Sequence, residues 1–231
     1  MNDILKAENL CKRYFHKKAL QGIQLTIPQG KITGLLGPNG SGKTTFLKIA
    51  AGILHPSSGK LLIDGQEPGV YTKSVVSYLP DTEYLPKWMK IKDAVQYFQD
   101  FYLDFDEKKA FELLEFMKLD AQSSVKNLSK GMKEKLKLTL VLSRNAKLYI
   151  LDEPLGGVDP STREKILDAI IKNFHDRSSM LITTHLVNDI ERIFDDVAFI
   201  SEGKIVLQGD AEELRLERNK SIDELYREVF E

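Results

Sequence analysis

Gly37-Pro38-Asn39-Gly40-Ser41-Gly42-Lys43-Thr44-Thr45 is the stretch on which the reading of this chain turns. It has the G-x-x-x-x-G-K-[ST] spacing, in which each residue type has a task in holding the phosphates of a nucleoside triphosphate. Gly37, Gly40 and Gly42 permit backbone conformations that a Cβ would obstruct, so successive N–H groups can surround the phosphates. Lys43 brings a flexible point charge to the β- and γ-phosphates, and the Thr44 hydroxyl is placed to ligate Mg2+. The flanks agree. Ile32 to Leu36 is apolar, like a buried strand, and Thr45 to Ala51 is helix-forming with Gly52 as its stop. The helix N-terminus then faces the anion. A chance match in a Gly-rich loop would not bring a strand before it and a helix after it.

Bulk properties narrow the classes. The 231 residues suffice for one large domain or two small ones, and 42% apolar residues can fill a sizeable core. Net charge is −1 with both signs interspersed, which gives no electrostatic footprint for nucleic acid and no polybasic membrane anchor. The single cysteine, Cys11, excludes an internal disulfide framework, fits a reducing cytosol and reads as a small apolar residue near a strand. No basic-then-apolar leader and no apolar run of spanning length is seen, so in any membrane process another chain would cross the bilayer.

Elements follow from the apolar pattern. Leu5–Leu10, Leu20–Ile27 and Lys60–Ile63 read as strands, punctuated by turns at Pro28-Gln29-Gly30 and Asp64-Gly65-Gln66. Ile91, Ala94, Val95, Phe98, Phe101 and Tyr102 form one helical stripe, and Ala110, Leu113, Leu114 and Met117 form another. Ordinary helix packing accounts for both stripes. A third helix is predicted from about Lys130 to Arg144. Leu148–Leu151, Met180–Thr184 and Val197–Ile200 are short apolar runs of the kind buried on both faces of a sheet, with helices near Arg163–Phe174 and Val187–Phe194 between them. The expected fold is α/β with a mostly parallel sheet, a helical insertion over about 81–145 and a charged helical tail over Ala211–Glu231.

Leu148-Tyr149-Ile150-Leu151-Asp152-Glu153 is an apolar strand that ends in two carboxylates. Beside a phosphate loop, Asp152 is placed for Mg2+ through water, and Glu153 for orienting or deprotonating the attacking water.

At this point the residues resemble a family. Over nearly its whole length the chain is similar to the ATP-binding subunit of ABC transporters. Leu128-Ser129-Lys130-Gly131-Met132 resembles the Leu-Ser-Gly-Gly-Gln signature, and Asp152-Glu153-Pro154 the strand-end carboxylate pair. Leu155-Gly156-Gly157-Val158-Asp159-Pro160 looks like the loop that ends in Leu-Asp-Pro, and Thr183-Thr184-His185 like the switch histidine after the next strand. Tyr14 matches the aromatic residue that stacks on adenine. Ala51-Gly52, Pro56-Ser57-Ser58-Gly59 and Asp64-Gly65 also match in order and spacing.

The resemblance implies a P-loop ATPase of ABC type, with an N-terminal antiparallel β subdomain, a catalytic core over about 1–80 and 146–209, a helical subdomain over about 81–145 and a tail over about 210–231. It implies ATP and Mg2+ as ligands. It also implies a homodimer or heterodimer in which each ATP lies between one phosphate loop and the other subunit's signature. Ser129 and Gly131 would meet the γ-phosphate there, with Asp159 in the same shared site, and His185 would position Glu153 or the water. The implied partner is a separate integral membrane permease, with the ATPase cytoplasmic and peripheral on the inner face of the membrane, and export favoured. Two segments depart from the pattern. Asp81, in Tyr78-Leu79-Pro80-Asp81, stands where the family has Gln; it is shorter and cannot donate when ionised, though it could hold Mg2+ through water. Lys130 and Met132 replace Gly and Gln in the signature, Lys130 either adding charge or pointing to solvent. Tyr84, Leu85, Trp88 and Met89 suggest either an apolar docking surface for a partner helix or, for Trp88, a cap on the helical subdomain's own core. His16, His55 and His175 read as surface residues. The competing functions are a soluble ABC-type ATPase acting on DNA or ribosomes and a general P-loop phosphotransferase. The chain lacks the former's long coiled coils, tandem second ATPase domain and basic arms, and the signature and Tyr14 argue against the latter.

Overall fold

The computed structural model describes residues 3–175 and 177–231. In chain order the elements are β1 (Asp3–Tyr14), β2 (Lys17–Pro28), β3 (Ile32–Leu36), α1 (Lys43–Ala50), β4 (Ser58–Ile63), α2 (Val70–Val75), β5 (Val76–Leu79), α3 (Ile91–Phe101), α4 (Glu107–Phe116), α5 (Lys130–Leu142), β6 (Leu148–Asp152), α6 (Pro160–Asn173), β7 (Ser179–Thr184), α7 (Val187–Ile190), β8 (Asp196–Ser201), β9 (Lys204–Asp210), α8 (Ala211–Arg218) and α9 (Ile222–Phe230).

The strands make two sheets. A six-stranded sheet runs β5-β6-β7-β3-β8-β9, parallel throughout except for β9, which pairs antiparallel with β8. A three-stranded antiparallel sheet runs β2-β1-β4. Every residue of β3, β6 and β7 is buried, which explains why these strands read as unbroken apolar runs. Consecutive residues send their side chains to opposite faces. Leu36, Leu151, Ile182 and Phe199 face a core shared with α3–α6, α8 and α9. Leu35, Ile150, Leu181 and Ile200 face a second core, where Phe46, Leu47 and Ile49 of α1 meet the small sheet. Each such side chain, fully buried, contributes about 1.5–3 kcal/mol. α1 is therefore held between two sheets, and the loop that precedes it inherits that rigidity.

Four particulars differ from expectation, the first being β5, a four-residue strand where the sequence reading names only the segment leading to Asp81. The helix expected over Val187–Phe194 is one turn of α-helix, α7, followed by a 3-10 turn at Glu191–Ile193. The chain must bend there, because Asp195 is drawn back to the sheet, its carboxylate accepting the Ile32 N–H at 2.8 Å. β9 lies at a sheet edge with alternate residues exposed, and its charged, glycine-containing sequence concealed it. α2, one and a half turns long, also escaped the helical pattern.

The helices α3–α5 are tied to the large sheet by Arg144, just past α5 and 3% exposed. Its guanidinium donates to both carboxylate oxygens of Asp104 at 2.9 and 3.1 Å. It also donates to the carbonyls of Val76 and Ser74 at 2.7 and 2.9 Å, and stacks on Tyr102, 3.9 Å from the ring centroid. At the other end of the chain α9 packs on α7, with Tyr226 and Phe230 against Phe199.

Candidate functional site

Sheet order decides which loops meet. β3 lies between β7 and β8, and β6 lies on the other side of β7. Leu36 pairs with Thr184 and Asp152 with Thr183, so the residues that follow β3, β6 and β7 leave the sheet side by side at its carboxyl edge, where open α/β sheets bind ligands. Gly37–Gly42, Glu153 and His185 come together there by register alone.

The phosphate loop is shaped by backbone that only glycine tolerates. Gly42 caps α1 with φ 117°, and a Cβ there would stand 2.7 Å from the Ala19 carbonyl oxygen. A Cβ on Gly37 would run into the Ile200 carbonyl. The loop closes over a cavity of about 240 Å3, lined by Asn39, Gly40, Gly42, Lys43, Thr44 and Thr45, together with Tyr14, Lys17, Ala19, Asp81 and Glu153. Gly37 and Pro38 do not line it; their carbonyls accept from Lys43 Nζ at 2.6 and 3.2 Å. Ser41 is buried behind the loop, and its hydroxyl finds no hydrogen-bond partner. Tyr14 ends β1 at the rim, 41% exposed, with Lys12 Nζ 5.3 Å from its ring centroid.

The two strand-end carboxylates differ in environment. Asp152 is buried, and its Oδ1 accepts from the Thr44 hydroxyl at 3.3 Å and from the Thr183 hydroxyl at 2.8 Å. Its Oδ2 is buried without a partner. Burial pushes its carboxyl above the usual carboxylate range; the hydrogen bonds from Thr183 and Thr44 oppose this, and the charges of Glu153 and Asp81 add to it. Among the described residues no group of three or more His, Cys, Asp or Glu side chains is gathered for a metal. The donors present are oxygen only, one hydroxyl and one carboxylate oxygen without a hydrogen-bond partner. That set fits Mg2+, which keeps its waters and borrows phosphate oxygens.

Glu153 takes the left-handed backbone conformation at φ 51°, a strain of about 1–3 kcal/mol for a residue with a Cβ. The neighbours hold it there. Its N–H donates to the Thr183 carbonyl at 3.1 Å and lies 3.2 Å from the Thr183 hydroxyl. Its carboxylate spans the site, with Oε1 3.4 Å from Lys43 Nζ, Oε2 2.9 Å from His185 Nδ1, and Oε2 accepting the His185 N–H at 3.3 Å.

Ser129, Gly131 and Asp159 do not line this cavity. They form a second group, where the starts of α5 and α6 touch. Ser129 caps α5, accepting the Met132 N–H at 3.3 Å. Asp159 caps α6, accepting from the Thr162 N–H and from the hydroxyls of Ser161 and Thr162, and those hydrogen bonds hold its carboxyl far below the usual range. Gly131 lies against the same group, and a Cβ there would make ordinary contact with the Thr162 side chain at 3.5 Å. Lys130 is exposed and lies across Gly157, whose φ of 66° and lack of Cβ make space for it. Met132 packs against the core, as expected of an apolar residue and not of the glutamine it replaces.

Several contributors carried no role in the sequence reading. Thr183 links Asp152 and Glu153; a hydroxyl residue at the end of an otherwise apolar strand was its signal. Tyr78 is half-buried with its hydroxyl turned inward near Asp152, and burial together with the charges of Asp152 and Asp81 pushes its phenol up. Lys17 and Ala19 reach the cavity through the β1–β2 turn and have no sequence signal.

Residues 20–156 match the family model for ABC transporter. An uncharacterised ABC transporter ATP-binding protein of Bacillus subtilis (strain 168) is 30% identical over 224 residues, covering 95% of this chain and 75% of that protein. A Nod factor export ATP-binding protein of Burkholderia orbicola (strain AU 1054) is 32% identical over 209 residues, covering 87% and 69%. The solved structure of an ATP-binding subunit of an ABC transporter superimposes with a TM-score of 0.88 at 25% identity, covering 98% of this chain and 99% of that one.

Proposed function

The chain belongs to the ABC transporter family as an ATP-binding subunit, and on that premise we propose how its residues run an ATPase cycle and what they drive. Two such subunits close around ATP, hydrolyse it to ADP and phosphate, and move a separate membrane permease. The observation that carries this reading is Glu153, set between Lys43 and His185 at the mouth of the phosphate-loop cavity.

Adenine stacks on Tyr14 at the rim, and the loop N–H groups and the α1 terminus receive the phosphates. Lys43 exchanges its carbonyl partners and its neighbour Glu153 for phosphate oxygens. Thr44 and Asp152 would hold Mg2+, with Asp81 on the wall of the same cavity, and the ion supplies neutralisation of charge on the β- and γ-phosphates. Glu153, released from Lys43 and oriented by His185, polarises the attacking water. Ser129 and Gly131, remote from this cavity in their own subunit, serve the partner's ATP, and Asp159 fixes the α6 end beside them. Nucleotide then joins two subunits, and cleaving the γ-phosphate lets them part.

A groove of about 980 Å3 supports the permease partner. It is lined by Tyr84, Leu85, Trp88, Tyr97, Phe101 and Tyr102 among others, and Trp88 is 77% exposed. Trp88 therefore does not cap the helical core; Met89 beside it does, at 6% exposed. An amphipathic partner helix suits such a surface. Among the described residues no helix is long and apolar enough to cross a membrane, so the crossing falls to that partner, and the subunit would sit on the membrane's inner face. The Nod factor export relative favours export as the direction.

Glu153→Gln tests the cycle. Turnover should fall by at least about a hundredfold while ATP binding persists and an ATP-bound dimer accumulates on size exclusion. Unchanged turnover would remove Glu153 from its role.

A further inference from the structure

Lys137 lies in the middle of α5 and is 1% exposed. A buried ammonium is costly unless its donors are satisfied. Its Nζ is 2.9 Å from Glu134 Oε2, one turn earlier, and donates to the Pro80 carbonyl oxygen at 3.4 Å. Glu134 is itself largely buried; burial pushes its carboxyl up, opposed by Lys137. Nothing in the cycle above uses either side chain. As a source of stability the pair is poorly chosen, because apolar residues of similar volume hold a core as well or better. Its purpose then lies in the second contact, the one to Pro80.

Pro80 immediately precedes Asp81. Asp81 lines the phosphate cavity, whereas Pro80 and Thr82 line the apolar groove. Residues 80–82 are thus a wall common to both. Helix α5 grips this wall and its surroundings along its length. Lys133 Nζ is 3.6 Å from Glu83 Oε1, and the Ser77 hydroxyl donates to the Val141 carbonyl at 2.9 Å. The Lys133 pair is partly exposed and weak. The Lys137 contact is internal and directed at the peptide unit that carries Asp81.

We propose that Lys137 is a positioning residue, which holds the Pro80 carbonyl and thereby sets Asp81 in the nucleotide cavity, so that the wall between cavity and groove moves only with α5. This rests on the ATP-binding reading above. The same helix begins at Ser129, so one rigid rod fixes both the signature and the wall.

The test is a double substitution, Glu134→Leu with Lys137→Met, which removes the ion pair without leaving a lone buried charge. It is made in the wild-type full chain and in an Asp81→Asn background, and compared with Lys137→Arg. The readouts are melting temperature and the affinity for a fluorescent ATP analogue, with Mg2+ and with EDTA. The double variant should melt no earlier than wild type, yet lose about tenfold in Mg2+-dependent affinity, as expected when a site group is displaced. With EDTA the affinity should hold. In the Asp81→Asn background the same change should cost less than about twofold, since the two act through one group. Lys137→Arg, which keeps a donor for Pro80, should retain most of the affinity. Equal losses in both backgrounds, a loss that persists in EDTA, or a melting temperature that falls in step with affinity would each overturn the proposal. A wild-type chain that fails to bind the analogue would bring down the ATP reading itself; a wild-type chain that binds beside a double variant that binds equally well would bring down only the role of Lys137.

Discussion

Asp152, the proposed Mg2+ residue, sits where its own charge is penalised. Its folded-state carboxyl is raised by burial, so the ionised form destabilises the nucleotide-free protein. With a raised folded value, this group's contribution is favourable below the ordinary carboxylate range and is lost as pH rises through the folded value. Asp152→Asn keeps the Oδ1 acceptor for Thr44 and Thr183 and removes the charge. It should raise the melting temperature of the nucleotide-free protein at pH 7–8, with the gain shrinking on acidification, while abolishing Mg2+-dependent ATP binding. A scan of melting temperature against pH for both proteins checks the sign. Tyr14 makes a different prediction. Its exposed ring at the cavity rim should contribute about 1–3 kcal/mol of base stacking, so Tyr14→Ala should raise KM for ATP about tenfold or more and leave kcat near wild type. Unchanged affinity would remove Tyr14 from the base. The phosphate loop and Asp152 were legible because their chemistry is local, declared by glycine spacing, one lysine and a strand-end carboxylate, whereas Tyr14 was named only through the family resemblance. Lys137 was not legible. In Lys135-Leu136-Lys137-Leu138 it reads as an alternating surface lysine, and only its packing against Pro80 shows that it is inside.

At the scale of elements, Arg144 is a polar tie in the joint between α3–α5 and the large sheet, beside the apolar core they share. Arg144 satisfies two backbone carbonyls and Asp104 in a buried setting, so Arg144→Ala should cost about 3–5 kcal/mol by leaving those acceptors unpaired. Denaturant unfolding would measure it. Two neighbours before α3 separate packing from docking. Met89→Ala removes a core side chain and should cost about 2–4 kcal/mol. Trp88→Ala should change stability by less than about 0.5 kcal/mol, yet abolish co-purification with an integral membrane partner. If Trp88→Ala also unfolds the protein, the groove is not a docking surface. Central strands were legible because burial on both faces leaves an unbroken apolar run, as in Leu148–Asp152. β9 and the break after α7 were not, since the first is an edge half in solvent and the second answers to the needs of β8 rather than to its own sequence.

At the scale of the molecule, the sheet order β5-β6-β7-β3-β8-β9 could not be read from the chain, yet it alone brings Glu153 and His185 to the phosphate loop. Local signals name the parts of such a site; pairing between strands far apart in sequence assembles them. The signature at 128–132 and the phosphate loop remain in separate groups within one subunit, and that separation is what makes a second subunit necessary to the proposed cycle.

The contact between Glu153 and Lys43 bears on how the spent nucleotide leaves. With γ-phosphate gone, the lysine's pull on ADP must compete with a carboxylate already within 3.4 Å. On the proposed cycle Glu153 would work at both ends of turnover, activating water at the start and reclaiming the lysine at the finish, so that product would be displaced by a group the protein supplies itself.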